Sequence, residues 1–274
     1  MEIVEAFVNT LRAIIFGLIQ GLTEFIPVSS SGHLQVAQEY LGTFADGTHI
    51  FLQLVNFGTL LALLIYYRKR ILEILKEIFV KHNFKFALNI IITCIPVCTV
   101  GLLLSSFIEN TPLFSNLYIV MAAMIVVGLL MINVEKLPKM KHIKDDKHLN
   151  WKQALGIGVA QCFALIPGAS RSGTTILAGR VAGLDNKSAA DYSFTVSIVV
   201  MAGVMLKSLI SSSSRAYIAD NWQLVLLSNA VAFISGMLAI RFVMKYLKKK
   251  GSLEAFGKYR IIFAIFVLIF CLIK

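Results

Sequence analysis

Six stretches of this chain are apolar almost without interruption, and each approaches or exceeds the roughly 20 residues a helix needs to cross a bilayer. They lie at approximately 49–67, 86–107, 116–134, 190–211, 222–246 and 257–274. A soluble domain would need about a quarter of its residues charged to cover such a core, and this chain is 57% hydrophobic and 15% charged. The pattern implies an all-α polytopic membrane protein, a single integral membrane domain over 1–274 without a soluble module. The opening MEIVEAFVNTLRAII has neither the basic n-region nor the cleavage signature of a removable signal peptide. The first segment is therefore expected to remain.

Net charge is +11, which excludes little until its distribution is read. Eighteen of the 26 Lys and Arg residues fall at 68–85, 136–152 and 245–260, whereas the linkers 108–115 and 212–221 hold only Arg215. Basic short loops mark the cytoplasmic side of a membrane. The charge thus orients a membrane protein, and no nucleic-acid partner is expected. With 68–85, 136–152 and 248–257 inside and the two poor linkers outside, the six spans alternate without conflict. Neither 5–42 nor 152–184 can then cross a net time. Each is predicted to enter and return on its own side, as a re-entrant hairpin of two half-helices surrounded by protein.

The two hairpins share sequence. GLIQGLTEFIPVSSSGHLQVA, starting at Gly17, aligns at an offset of 141 with GVAQCFALIPGASRSGTTILA, starting at Gly158. Gly17/Gly158, Gln20/Gln161, Ser29/Ser170, Ser31/Ser172, Gly32/Gly173 and Ala37/Ala178 coincide, while Pro27 and Pro167 miss register by one. Each copy precedes three spans, and the charge pattern gives the copies opposite orientations. The result is an inverted-topology repeat, with repeat 1 at 1–134, a basic loop at 135–151 and repeat 2 at 152–274. Its site is expected where the interrupted hairpins meet near the midplane.

What the hairpins carry is polar. Pro27 and Pro167 end incoming helices, and the serines after them are natural N-caps for the returning ones. Helix N-termini attract phosphate. Arg171, beside one of them, adds a planar fork suited to an anion with several oxygens. Ser29, Ser31, Gly32, Ser170, Ser172, Gly173 and Thr175 are candidate phosphate-binding groups. For Ser29, Ser31 and Ser172, helix capping or close packing is an equal alternative. Glu24, an intramembrane carboxylate, is a functional candidate by default. Beside a phosphate it needs a bridging divalent cation or a role as base. Ser30 and His33 stand i, i+3 on one helix face, the spacing of a nucleophile and its base. A structural salt-bridge network is the plainer account of Glu24, His33 and Arg171.

Other polar residues read as structural. Cys94, Cys98, Cys162 and Cys271 lie in apolar stretches and behave as small hydrophobes. His49, His82, His142 and His148 sit at loops or span ends. Arg180 reads as a snorkelling partner, and Asp191 and Lys207 as interface anchors.

At QGLTEFIPVSSSGH and PGASRSGTT the chain resembles the undecaprenyl-diphosphate phosphatases of the bacitracin-resistance type, and the likeness runs on through FLQLVNFGTLLAL and DYSFTVSI. The resemblance implies an enzyme of the bacterial plasma membrane that removes the terminal phosphate of a C55 isoprenyl diphosphate. That step regenerates the lipid carrier for peptidoglycan and protects against bacitracin. By motif, Glu24 and Gln20 would handle a divalent cation (Mg2+ or Ca2+) or act as base. Ser30 is the favoured nucleophile, His33 its acid/base partner, and Arg171 the phosphate clamp; a His33 nucleophile is the competing scheme. Ser31 replaces a usual Thr, Gln20 a frequent Glu, Asn56 a Gln or His, and Val199 a frequent Pro. Candidate partners are undecaprenyl diphosphate, membrane lipids and a second copy of the chain. The pocket is expected to open outward. A lipid-phosphate flippase built on the same inverted repeat, or a scaffold in a wall-synthesis assembly, are the alternatives.

Overall fold

A computed structural model of the chain describes residues 2–44, 47–111, 116–134, 136, 145–250 and 252–273. Among the described residues all regular structure is helical. Half of the linker at 108–115 (112–115) and positions 135 and 137–144 of the basic loop, with His142, lie outside them. Seven helices among the described residues are long and apolar enough to cross a membrane. Six correspond to the expected spans, and large apolar side chains such as Leu102, Phe266 and Leu272 face outward from them. That surface suits lipid.

The seventh is a difference. Helix α1 (Glu2–Phe25) has 24 residues, about 36 Å at 1.5 Å per residue, so the first arm of the first hairpin is full length. No proline or polar break interrupts it before Pro27. It turns back through Ile26–Val28 into α2 (Ser30–Leu41), whose 12 residues cover about half that distance. The span at 49–67 is also interrupted. It divides into α3 (Thr48–Leu54) and α4 (Asn56–Tyr66), and the Asn56 amide donates to the carbonyls of Leu52 and Gln53 beside the break.

The basic segment at 68–85 begins as α5 (Arg68–Phe79), which buries no residue. Two spans follow, α6 (Lys85–Asn110) and α7 (Leu117–Val134). The second hairpin matches expectation more closely. An Asn150–Gln153 capping box opens α8 (Trp151–Gln161), a 3₁₀ turn over Cys162–Leu165 ends it before Pro167, and α9 (Arg171–Val181) returns. After it come α10 (Asn186–Ile210), α11 (Ser212–Lys250) and α12 (Glu254–Ile273). The linker expected at 212–221 is itself helical, set apart from the rest of α11 by a kink at Asn221.

Close packing repeats between the halves. A Cβ at Gly17 would lie 2.5 Å from the Ser228 carbonyl oxygen of α11, and one at Gly158 would lie 2.5 Å from that of Thr93 on α6. Thus α1 sits on α11 as α8 sits on α6. Helices α7 and α12 cross at Gly128 and Gly257, where each glycine abuts the other's carbonyl. The two halves therefore use the same pattern of close contacts.

Candidate active site

The turns at the hairpin tips are built alike. Ser29 and Ser170 cap α2 and α9, accepting from Gly32 N at 3.3 Å and Gly173 N at 3.1 Å. Both have positive φ, 78° and 73°, a region that costs a non-glycine residue about 1–3 kcal/mol and clusters at functional sites. The tips are stitched together. Gly168 N donates to Ser31 Oγ at 3.2 Å, and Ser172 Oγ donates to the Glu24 carbonyl at 3.1 Å.

Between them lies a cavity of about 230 Å3 lined by Glu24, Ser30, Ser31, Asn56, Ser170, Arg171 and Ser172, with Met201 and Met205 of α10 on the apolar wall. Glu24 is its centre. One carboxylate oxygen pairs with the Arg171 guanidinium across the hairpin junction. The other accepts the Ser30 hydroxyl at 2.6 Å and the Gln20 amide at 3.0 Å. Gln20 also donates to Asn56 Oδ1 at 2.8 Å, so the break between α3 and α4 feeds the same network. Glu24, Ser30, Arg171 and Gln20 thus converge as the motif spacing anticipated.

His33 does not join them. Its Nδ1 bonds the Ser29 carbonyl at 2.7 Å and its Nε2 the Tyr259 hydroxyl at 2.9 Å. The ring stacks on Phe263 with centroids 4.1 Å apart. A carbonyl can only accept, so Nδ1 carries a proton, and both nitrogens are engaged away from the cavity. The pairing of Ser30 with His33 expected from i, i+3 spacing is therefore replaced by Ser30 with Glu24. Shared helix face fixes direction only to within a wide arc, and the stack on α12 takes the imidazole out of it.

Four candidate phosphate groups also face elsewhere. Ser29 is fully buried in its cap. Gly32 and Gly173 press against α7, where a Cβ would meet Met124 Sδ at 2.7 Å and Met131 Cε at 2.8 Å. The Thr175 hydroxyl bonds the Arg171 carbonyl at 2.8 Å and Ser193 Oγ. Ser31, Ser170 and Ser172 do line the cavity. Arg180 donates to the Leu184 carbonyl at 2.6 Å, and Asp191 accepts from Tyr67 and Lys187. The four cysteines are free.

Arg260 is the residue the sequence reading missed, having been counted with the basic segment 245–260. It is 0% exposed and donates to the carbonyls of Met124, Pro27, Gly168 and Ala169 at 2.6–3.3 Å. One guanidinium therefore holds both hairpin turns to α7. The signal was present: an arginine inside the last apolar span is an intramembrane charge, rare without a partner or function.

A cation finds few protein ligands. Among the described residues no three His, Cys, Asp or Glu side chains gather, and Glu24 is the one carboxylate on the cavity wall. That donor set fits an ion shared with substrate phosphates, as Mg2+ is commonly held. It does not fit an all-protein cage.

The family model described as Bacitracin resistance protein BacA matches residues 13–266. The chain is 37% identical to an undecaprenyl-diphosphatase of Myxococcus xanthus (strain DK1622), over 95% of this chain and 89% of that protein. It is 35% identical to undecaprenyl-diphosphatase 1 of Clostridioides difficile (strain 630), over 96% of both chains. To an undecaprenyl-diphosphatase of Sulfurovum sp. (strain NBC37-1) it is 36% identical, over 95% of this chain and 98% of the other. With its match spanning both hairpins and nearly the whole length, the chain belongs to the bacitracin resistance protein BacA family.

Proposed function

We propose that this chain hydrolyses undecaprenyl diphosphate to undecaprenyl phosphate and inorganic phosphate, recycling the carrier lipid for wall synthesis and giving resistance to bacitracin. One observation carries the mechanism: Glu24 bridges the Ser30 hydroxyl of one hairpin and the Arg171 guanidinium of the other. A carboxylate 2.6 Å from a hydroxyl is a base within reach of a nucleophile.

In this scheme the substrate's terminal phosphate enters the cavity while its prenyl chain stays in lipid, since about 230 Å3 cannot hold both. Glu24 takes the Ser30 proton as Oγ bonds to the terminal phosphorus. The bond from that phosphorus to the bridging oxygen breaks, and undecaprenyl phosphate leaves with the proton returned from Glu24. Arg171 turns from Glu24 to the phosphoryl oxygens, where its paired N–H groups stabilise the charge that builds there. Glu24 then deprotonates a water that attacks the phosphoserine. The P–Oγ bond breaks, Ser30 recovers its proton and inorganic phosphate departs. Ser31, Ser170 and Ser172 offer hydroxyls along the way. A divalent cation, Mg2+ or Ca2+, would be held by Glu24, with Gln20 beside it, and would neutralise diphosphate charge when bound. His33 acts as a brace in this reading and not as the nucleophile.

The cavity is walled by Met201, Val204 and Met205, in the half of α10 that leads to 211–221. Because the charge pattern sets that end outside, the pocket is assigned to the outer face of the bacterial plasma membrane. The transport alternative is not favoured by relatives named as diphosphatases.

Phosphate release from undecaprenyl diphosphate by the purified protein in detergent, with Mg2+ or Ca2+ supplied, tests the reading. Hydrolysis needs no second compartment, so transport alone would give no signal. Release by wild type and its loss in Ser30→Ala is the expected result; absence of release by wild type overturns it.

A further inference from the structure

A second polar pocket lies at the opposite end of α10 from the catalytic cavity. It occupies about 400 Å3 between the ends of α4, α10 and α11, lined by Tyr66, Lys187, Asp191, Arg241, Lys245 and Lys248, with Met244 as its floor. Lys187 is neutralised by Asp191 at 2.7 Å. Arg241, Lys245 and Lys248 are exposed and make no hydrogen bond or ion pair among the described residues. Four cations against one carboxylate leave the pocket strongly positive. Three of the cations stand at i, i+4 and i+7 and so form one stripe along α11.

The same stripe continues toward the middle of the helix as Leu238 and Ile234, i−3 and i−7 from Arg241, and both are more than half exposed. An ordinary cytoplasmic rim of lysines projects into solvent without walls. Here the cations line an open pocket between helices, and Leu238 and Ile234 extend the same helix face as exposed apolar positions. A groove that is cationic at its mouth and apolar below matches an amphiphile with an anionic head and acyl chains. Free phosphate would use only the first half of it.

We propose that this pocket binds the phosphate of an anionic phospholipid, with its acyl chains laid along Leu238 and Ile234. Basic pockets between transmembrane helices are suited to such headgroups, and each Lys or Arg near an anionic surface contributes enough to change affinity about fivefold. The site is independent of the diphosphatase reading, because none of its residues lines the catalytic cavity.

The full chain, reconstituted in nanodiscs of equal phosphatidylglycerol and phosphatidylcholine and then released for native mass spectrometry, tests this. Wild type is expected to retain phosphatidylglycerol in clear preference. The triple variant Arg241→Gln, Lys245→Gln, Lys248→Gln is expected to lose that preference, and Lys248→Gln alone to weaken it about fivefold. The single variant keeps the test open if the triple variant does not fold. Leu238→Ser is expected to lower phosphatidylglycerol retention as well. Equal retention of the two lipids by wild type, or an unchanged preference in the single and triple variants, overturns the proposal. Displacement of the lipid by inorganic phosphate at matching concentration overturns the lipid assignment in favour of a free-anion site.

Discussion

The two re-entrant hairpins have the same backbone and different chemistry. Each turn is entered after a helix, reverses at a serine of positive φ, and caps the returning helix with that serine's hydroxyl. Even the residue four beyond the cap is matched in role. His33 Nδ1 bonds the Ser29 carbonyl at 2.7 Å, and Thr174 Oγ1 bonds the Ser170 carbonyl at 2.8 Å. At the functional positions the copies part. Glu24 corresponds to Leu165, Ser30 to Arg171, and Gln20, bonded to Glu24 and Asn56, to Gln161, whose buried amide has no hydrogen-bond partner among the described residues. The frame presents two donor-rich tips that face each other. The carboxylate and hydroxyl stand on one tip and the guanidinium on the other, so that the cavity lining comes from both hairpins.

The frame depends most on Arg260, which touches the equivalent carbonyls of Pro27 and Gly168 and so holds the tips in register. Arg260→Ala should have the largest effect of any single change. It strands the buried turn carbonyls of Pro27, Gly168 and Ala169, and breaking a buried charged network costs about 3–5 kcal/mol. Thermal unfolding in detergent should show a large fall in midpoint together with loss of hydrolysis. Arg260→Lys should recover only part, because an ammonium lacks the fork that reaches several carbonyls. An unshifted midpoint in the alanine variant would detach Arg260 from the frame.

The asymmetry itself is tested at Glu24. Glu24→Gln keeps the size but turns one accepting oxygen into an N–H donor and removes both the base and the charge paired with Arg171, and should lower turnover about 10²–10³-fold. The equivalent change in the other hairpin, Leu165→Ile, should leave it near wild type. Arg171→Ala should follow at about a hundredfold, with a near-normal melting point. Steady-state phosphate release on each variant is the measurement, and comparable rates for Glu24→Gln and wild type would falsify the division of labour.

Much of this frame was legible in the sequence because apolar length, basic loops and the proline-serine breaks each report one-dimensional facts. The six spans, the hairpin tips and the candidates Glu24, Ser30 and Arg171 came from those. What escaped was three-dimensional. The length of α1 was underestimated because a helix facing lipid and one entering a site look alike in composition. His33 was aimed at Ser30 by helical spacing, although a stack on Phe263, 230 positions later, fixes where the ring goes. Arg260 was assigned to a loop because positive charge near a span end usually belongs there. Distant partners decided each of these.

The approaches to the two hairpins differ too. The second is entered through the turn at Asp146–His148, where Asp146 is buried and paired with Arg70 of α5. Burial outweighs the guanidinium and pushes the Asp146 carboxyl up to about 6. The sign follows: between about 4 and 6 the folded chain holds a proton that the unfolded chain has lost, so stability should fall as pH rises through that window and level off above it. The change is about 3 kcal/mol. Asp146→Asn should flatten the dependence in a pH series of unfolding midpoints, and a slope unchanged by the substitution would locate the titration elsewhere.

The smallest effect expected is the most informative about mechanism. If His33 is a brace, the residue that braces the other hairpin should replace it. His33→Thr keeps a hydroxyl able to bond the Ser29 carbonyl as Thr174 bonds that of Ser170. It loses the stack on Phe263 and the bond to Tyr259, together on the order of 1 kcal/mol. Turnover should stay within about tenfold of wild type, with the pH profile of kcat unchanged because no titrating catalytic group has been removed. If His33 were the nucleophile or the base for Ser30, threonine could not substitute, and the rate would drop as far as in Glu24→Gln. The comparison of the hairpins therefore yields a substitution that separates the schemes where alanine could not, since His33→Ala removes brace and imidazole together.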